Sequence, residues 1–145
     1  MRHNLNSKYA IIGLGTFGNS LAQRLVAHQK YVMAVDKDID QIEIIKNVVT
    51  EAVSFDATNI KLLHKMGITE ADVVIISIGD DFKSTEFIAL ELLQSEVPHV
   101  YVTVQSSQEE KILKKIGVTR CINTEIWAAQ HLGDTISAET LPVNR

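Results

Sequence analysis

Three glycines near the N-terminus have the spacing of a phosphate-binding turn. The pattern follows an apolar, β-rich segment and spans Gly13, Leu14, Gly15, Thr16, Phe17 and Gly18. In G-x-G-x-x-G the first glycine permits a tight turn, the second admits a pyrophosphate, and the third lets helix and strand pack closely. The N–H groups at the start of the following helix would face the phosphates. The alternative is a structural turn that binds no ligand.

The acidic residue at the end of the next β-rich segment could bind the sugar of a nucleotide. Asp36 lies roughly twenty residues beyond the glycines, where a carboxylate accepts hydrogen bonds from both ribose hydroxyls. It would repel a 2′-phosphate, so NAD(H) or a plain adenine nucleotide is preferred over NADP. Lys37 weakens this preference because a lysine tolerates a phosphate, and Asp38 completes this part of the predicted site. Glycines and acid together favour nucleotide binding over the structural turn.

Two later β-rich segments are predicted to end at the same crevice. Asp56 and Ala57 follow the third segment, and Asp56 could either bond the adenine amino group or cap a helix. Ile78, Gly79 and Asp80 follow the fourth segment. Gly79 would let the backbone pass close to the adenosine, although it could also be a simple turn glycine.

The elements that position these residues alternate strictly along the chain. Segments of helical spacing separate six β-rich runs, at Tyr9–Ile12, Tyr31–Val35, Ala52–Phe55, Val73–Ile76, Val100–Val104 and Arg120–Ile122. Several runs are apolar on both faces, as strands between two helix layers must be. The alternation predicts an α/β fold with a Rossmann-like, doubly wound parallel sheet of six strands in the order 3-2-1-4-5-6. Ligands in such sheets lie at the carboxyl ends of the strands.

Polar residues mark the predicted ends of the helices. Asp38 with Gln41, and Ser107 with Glu110, have the spacing of capping boxes. Gly67 and Gly117 follow apolar helical stripes, where a left-handed residue commonly ends a helix. We therefore expect short helices with defined ends between the strands.

Length and composition predict one cytoplasmic domain. The 145 residues are ordinary globular material, so we expect a domain at 8–138 between short tails at 1–7 and 139–145. The net charge of −4 argues against a nucleic-acid binder and a polybasic membrane-surface protein. Cys121 is the only cysteine, which fits a reducing compartment. No apolar run is long enough to span a membrane, so there is no direct membrane insertion and a membrane role requires a partner.

No catalytic constellation accompanies the predicted cofactor fold. A Tyr-x-x-x-Lys pair and a Gly-Lys-Ser motif are absent, and the histidines are scattered without a partner at a meaningful spacing. We expect a ligand sensor rather than an enzyme. The alternative is a small NAD-dependent oxidoreductase with His131 or Tyr101 as the proton donor. A redox-sensing transcription factor would need a DNA-binding helix pair and a basic face, and the sequence shows neither.

The chain resembles the N-terminal nucleotide-binding domain of the regulators of potassium conductance, the RCK N or KTN domain of Trk and Ktr potassium-transporter regulatory subunits. The first two matching stretches are shared with many dinucleotide-binding proteins, whereas the later ones make the match specific. In chain order they are Ile11–Gly18, Val32–Asp38, Asp56–Thr58, Ala71–Gly79, Lys111–Val118 and the pair Thr124-Glu125.

The resemblance implies an assembly and a function. Such domains form homodimers and then a ring beneath an integral membrane potassium transporter subunit, peripheral to the inner face of the membrane. Bound NAD(H) or ATP/ADP changes the shape of the ring and gates ion flow. The last helix, with Trp127, would cross to the partner subunit. Glu125 matches a position that binds a monovalent or divalent cation at the dimer interface in some relatives, although the residues alone favour a helix-start carboxylate.

Several positions depart from the family pattern. Thr16 stands where close relatives often carry arginine, and Thr103 stands where a lysine or arginine often ends the fifth strand. The predicted site at that strand end comprises Thr103, Val104 and Gln105. Without those basic groups a diphosphate or dinucleotide is favoured over a triphosphate. The family's C-terminal ligand domain is missing from these residues, so we expect either a fragment of a longer protein or a short form.

Overall fold

The structure, a computed structural model, describes residues 7–139 and Pro142, in which strands and helices alternate as the sequence predicts. The strands are β1 (Lys8–Ile12), β2 (Tyr31–Asp36), β3 (Glu51–Ser54), β4 (Val73–Ile76), β5 (His99–Thr103) and β6 (Arg120–Ile122). The helices are α1 (Thr16–Ala27), α2 (Ile39–Ile45), α3 (Ile60–Lys65), α4 (Phe82–Gln94), α5 (Ser107–Ile116) and α6 (Thr124–Ala138). A short 3₁₀ helix, Ile68–Glu70, precedes β4. The predicted tails lie almost entirely outside the described residues.

The strands form one parallel sheet in the order β3-β2-β1-β4-β5-β6, which confirms the predicted doubly wound topology. Ile12, at the end of β1, lies opposite Val35 on β2 and Ile76 on β4. The turns that follow these three strands therefore meet at one edge of the sheet, where the strand order reverses. That edge is where ligands bind in sheets of this kind.

Alternating side chains of the strands build two cores, one on each face of the sheet. Helices α3, α4 and α5 pack on one face through the fully buried Leu63, Leu92 and Leu113. Helices α1 and α2 pack on the other face through Ala22 and Ile45. Burial of one such leucine or isoleucine side chain stabilises the fold by about 1.5–3 kcal/mol. The two cores together fix the sheet edge that carries the glycine turn.

Side-chain caps begin five of the helices, and α1 is the exception. The oxygens of Asp38, Asn59, Asp81, Ser106 and Asn123 accept backbone N–H groups in the first turns of α2 to α6. The prediction for α5 was one residue late, since Ser106 and not Ser107 is the cap. For α2 the Asp38 carboxylate accepts the N–H of Asp40 at 2.9 Å. Helix α1 starts after Gly15 with no side-chain hydrogen bond at its cap.

The last helix stands apart from both cores. No residue of α6 is buried, and its exposed apolar side chains are Ile126, Trp127, Leu132 and Ile136. Within residues 7–139 and Pro142, no helix has the length and apolar composition needed to cross a membrane.

Candidate functional site

Two of the three glycines in the turn are required by packing inside the protein. Gly13 has a φ of 97°, and a Cβ there would lie 2.3 Å from the carbonyl oxygen of Ser77. A Cβ on Gly18 would lie 1.9 Å from the carbonyl oxygen of Gly13. Both distances are far below any real carbon–oxygen contact. Gly13 thus lets the turn approach the end of β4, and Gly18 lets α1 approach the turn.

Gly15 has no comparable reason to be glycine. A Cβ at this position would meet no protein atom within 4 Å. Its φ of −64° and ψ of −165° are extended values that any residue adopts. The open space lies directly before the uncapped first turn of α1, whose N–H groups carry the positive end of the helix dipole. The backbone at Gly15 is therefore accessible to an anion.

Asp36 lies beside the turn and is partly engaged by it. Its Oδ2 accepts the backbone N–H of Leu14 at 2.8 Å, and its Oδ1 accepts the N–H of Asp38 at 2.8 Å. A carboxylate offers about four lone-pair positions, so each oxygen can still accept a further hydrogen bond. Two neighbouring hydroxyl groups, such as those of a ribose, match this pair of acceptors.

A cavity of about 360 Å³ opens at this sheet edge and brings most of the predicted residues together. Ten of the predicted binding residues line it: Gly13, Leu14, Gly15, Asp36, Lys37, Asp38, Asp56, Ala57, Ile78 and Gly79. Its volume lies at the lower end of the range for small-molecule sites.

Seven other predicted residues do not line the cavity. Gly18 and Val104 are buried, and Thr16 and Asp80 are exposed. The side chain of Phe17 lines a different cavity on the opposite face of the sheet. Thr103 ends β5, where its hydroxyl donates to the carbonyl of Ile76 at 3.5 Å, and Gln105 is exposed.

The rim of the cavity is acidic. Four aspartates, Asp36, Asp38, Asp56 and Asp81, line it together with one lysine, Lys37. The hydroxyl and the N–H of Thr58 both donate to Asp56 Oδ1, at 2.7 and 2.9 Å, and hold the pKa of that carboxyl below its ordinary value. Asp56 therefore forms a local turn, while the cap of α3 is Asn59. Such a rim disfavours any phosphate that does not reach the glycine turn.

Several lining residues escaped the sequence analysis. Ser77 follows β4, and its hydroxyl donates to the carbonyl of Gly13 at 2.7 Å. Asp81 caps α4 by accepting the N–H of Ser84 at 3.1 Å, and the side chain and N–H of Ser84 lower the pKa of Asp81. Asp81 directly follows the predicted binding residue Asp80 in the chain. Ser77 lies at a strand end within the matching stretch Ala71–Gly79, but nothing in its residue type marked it as part of the site.

A second cavity, of about 440 Å³, lies on the face of the sheet that carries α1 and α2, in the part that these two helices leave uncovered. Its walls are almost entirely apolar and include Phe17, Leu21, Tyr101, Ile122 and Trp127. Trp127 is 54% exposed although it lies against this cavity. Trp127 and Ala128 connect this cavity to α6, whose other large apolar side chains, Ile126, Leu132 and Ile136, are exposed among the described residues.

Candidate catalytic and metal-binding residues lie away from the first cavity. Glu125 is exposed in the first turn of α6, and the described part of the chain contains no group of three His, Cys, Asp or Glu side chains that could hold a metal. His64 lies on α3, where its Nε2 is 2.9 Å from Glu91 Oε1. Cys121 is half-buried on β6, and burial raises the pKa of its thiol. His131 is exposed on α6.

The sheet topology, the glycine turn at the reversal point and the acid closing β2 define a Rossmann-like domain. The TrkA-N domain family matches residues 9–124, and the chain belongs to that family. It is 32% identical over 133 residues to the Ktr system potassium uptake protein A of Bacillus subtilis (strain 168), covering 89% of this chain and 60% of that protein. It is 30% identical over 132 residues to protein C of the same system and organism, covering 91% and 60%. The chain thus spans about 60% of the length of these relatives.

Solved structures share the fold. The NAD(P)-binding domain of an exopolyphosphatase-related protein from Archaeoglobus fulgidus has a TM-score of 0.79 at 24% identity, covering 90% of this chain and 98% of that one. The TrkA-N domain of the inner membrane protein ybaL from Escherichia coli has a TM-score of 0.79 at 13% identity, covering 92% and 99%. The GsuK channel bound to NAD has a TM-score of 0.75 at 13% identity, covering 92% and 24%.

Proposed function

We propose that this chain is the nucleotide-sensing domain of a regulatory subunit of a potassium uptake system. Membership of the TrkA-N family and the two Ktr relatives support the role in potassium transport. The observation that carries nucleotide binding is Gly15, a glycine that nothing inside the protein requires, placed before an uncapped helix. A pyrophosphate on the N–H groups of this turn accounts for both features.

The proposed ligand is NAD(H) or ADP/ATP. Its phosphates would lie on the glycine turn and its ribose on Asp36, with the adenine toward Asp56, Ile78 and Gly79. The NAD-bound GsuK channel supports an adenine dinucleotide as the ligand. Lys37 is the one basic side chain among the described lining residues, so a diphosphate or dinucleotide fits better than a triphosphate. Asp36 would repel the 2′-phosphate of NADP.

We propose that the domain holds its ligand without turning it over. The titratable side chains among the described lining residues are four aspartates and one lysine. The described lining contains no histidine, cysteine or tyrosine that could donate a proton to a reacting carbonyl. This composition suits a sensor and disfavours the small oxidoreductase.

The proposed assembly is a homodimer, and beyond it a ring beneath a membrane transporter subunit on the cytoplasmic side. The unpartnered apolar surface of α6 and the cavity beside Trp127 support a second copy as the partner. Cation binding at Glu125 is part of this proposal only at that interface, where a partner subunit can add further oxygen ligands.

Titration calorimetry with NADH, NAD, ADP, ATP and NADP tests the binding proposal. We expect one clear preference among the first four and at least tenfold weaker binding of NADP, because Asp36 repels its 2′-phosphate. Asp36→Ala should reduce this discrimination, and Asp72→Ala is its control, since this carboxylate also accepts a backbone N–H, from Lys8 at 2.8 Å, but at the opposite edge of the sheet. Absence of heat with every nucleotide would refute the proposal.

Reconstitution with a Trk- or Ktr-type pore in vesicles tests the transport role. Potassium flux should differ between the preferred nucleotide and nucleotide-free protein, and the difference should vanish in a variant that no longer binds nucleotide. If the potassium flux did not change on addition of the chain or of its nucleotide, the proposed transport role would be wrong, whereas the proposed nucleotide binding would still stand.

A further inference from the structure

One peptide group of the glycine turn is held from two sides. The carbonyl of Gly13 accepts the hydroxyl of Ser77 at 2.7 Å, and the N–H of Leu14, in the same peptide unit, donates to Asp36 Oδ2 at 2.8 Å. Ser77 follows β4 and Asp36 ends β2, which are the two neighbours of β1 in the sheet. The peptide between Gly13 and Leu14 is therefore fixed in its rotation by side chains from both flanking strands.

We infer that Ser77 is a positioning residue for the phosphate-binding turn, an inference that rests on the proposed nucleotide function. The rotation of the Gly13–Leu14 peptide sets the direction of the N–H groups that follow it. A peptide that turned over would point its carbonyl oxygen at the Asp36 carboxylate and would redirect the N–H groups that follow it, which would weaken their attraction for the phosphates. Asp36 also restrains this peptide, but in the proposed bound state its oxygens would be shared with the ribose, whereas the Ser77 hydroxyl contacts only the carbonyls of Gly13 and, at 3.5 Å, Ile12.

The surroundings of Ser77 allow the hydroxyl to be tested by itself. The N–H of Ser77 donates to the carbonyl of Ile12 at 2.8 Å, and its carbonyl oxygen packs against Gly13. Ser77→Ala retains these backbone contacts and removes the 2.7 Å bond to the Gly13 carbonyl, together with the longer contact of the same hydroxyl with the Ile12 carbonyl at 3.5 Å. A net protein hydrogen bond of this kind changes an equilibrium by about three- to tenfold.

The experiment compares adenosine and ADP by calorimetry and follows Leu14 amide exchange by NMR in nucleotide-free protein. For Ser77→Ala we expect ADP binding about three- to tenfold weaker, adenosine binding changed by less than about twofold, and Leu14 exchange faster by a similar three- to tenfold factor. Ser77→Thr retains the hydroxyl and should restore ADP binding. If Ser77→Ala fails to fold, Ser77→Cys makes the same comparison, because a thiol is only a weak donor.

Thr119→Ala is the matched control. The hydroxyl of Thr119 accepts the N–H of Val100 at 2.9 Å, so this change also removes one hydroxyl–backbone bond, but at the far edge of the sheet. It should lower the unfolding temperature while leaving the ratio of ADP to adenosine affinity unchanged.

Three outcomes would overturn the positioning role while the proposed function stands. They are unchanged ADP binding by Ser77→Ala, equal losses for ADP and adenosine, and a loss of ADP binding with unchanged Leu14 exchange, which would indicate direct contact with the ligand. Wild-type protein that binds neither ADP nor NADH would instead overturn the proposed function and the positioning role with it.

Discussion

The Oδ2 atom of Asp36 lies 2.8 Å from the backbone nitrogen of Leu14, so the carboxylate that closes β2 is bonded to the glycine turn that follows β1. The carboxylate proposed to bind the ribose and the turn proposed to bind the phosphates are therefore joined by a hydrogen bond. A change at Asp36 should affect both parts of a bound nucleotide, because it removes the ribose acceptors and releases the Leu14 amide.

Asp36→Ala should weaken binding of NADH and ADP by about 1.5–3 kcal/mol, the value for hydrogen bonds to a charged group. Calorimetry measures the change directly, with Asp72→Ala as the control. If Asp36→Ala bound both ligands as tightly as wild type, the ribose would have to lie elsewhere.

Gly15→Ala should separate binding from stability. Because a Cβ at Gly15 meets no protein atom within 4 Å, the free energy of unfolding should change by less than about 0.5 kcal/mol. The added methyl group would occupy the space of the pyrophosphate, so ADP affinity should fall at least tenfold. Gly133→Ala is the control, since Gly133 is equally open but lies on α6. Undiminished ADP binding by Gly15→Ala would contradict the phosphate placement.

Gly18→Ala should have the opposite signature. Its Cβ would lie 1.9 Å from the carbonyl oxygen of Gly13, so α1 or the turn must move, at a cost of about 1–3 kcal/mol or more. Urea unfolding measures the loss of stability. Gly133→Ala again serves as the control and should raise stability slightly, because alanine is favoured over glycine inside a helix. Gly18→Ala with wild-type stability would show that the turn relaxes freely.

The sequence predicted the topology because its signals were local and repeated. Each strand is a short apolar run, and Gly67 and Gly117, with φ of 81° and 110°, end two helices in the left-handed conformation as expected. Strict alternation of these elements then left few topologies open. The site at the ends of the central strands followed from the same rule, which is why Gly13, Gly15, Gly79 and Asp36 line one cavity.

What the sequence could not predict depends on choices between neighbouring residues and on contacts between distant ones. Ser106 and Ser107 are both competent caps, and Ser106 takes the role because its hydroxyl reaches the N–H of Glu109 at 3.2 Å, while Glu110 pairs with Lys114 at 2.9 Å. The direction of Phe17 likewise depends on its position around the axis of α1, which places this side chain on the apolar cavity. The role of Ser77 depends on a residue 64 positions earlier in the chain.

Thr58→Val should reduce stability in a pH-dependent manner. The Thr58 hydroxyl lowers the pKa of Asp56 below its ordinary value of 3.8, so this stabilisation is present above that pH and is lost as the pH falls through the lowered pKa. The difference from wild type should be less than about 1 kcal/mol at neutral pH, since Asp56 is exposed, and should shrink as the pH falls below 3.8. Urea unfolding from pH 7 to 3 measures it. Thr103→Val is the control: the Thr103 hydroxyl donates to a backbone carbonyl, so the difference in unfolding free energy from wild type should not change with pH. A pH-independent difference for Thr58→Val would show that the hydrogen bond to Asp56 does not contribute to stability.

Trp127→Glu should weaken self-association without unfolding the chain. Trp127 is 54% exposed beside an apolar cavity, and α6 contributes no buried residue to the cores, so the added charge is harmless to the single chain but costly at a covered interface. We expect the dissociation constant of the dimer to rise about thirtyfold or more, measured by sedimentation equilibrium, with an unchanged circular dichroism spectrum. Gln130→Glu places the same charge at an exposed polar position of the same helix and should leave the dimer intact. Equal dimerisation of Trp127→Glu and wild type would place the interface on another surface, because Trp127 lines the cavity beside Phe17 and Tyr101 and a charge there would disrupt any interface that covers it.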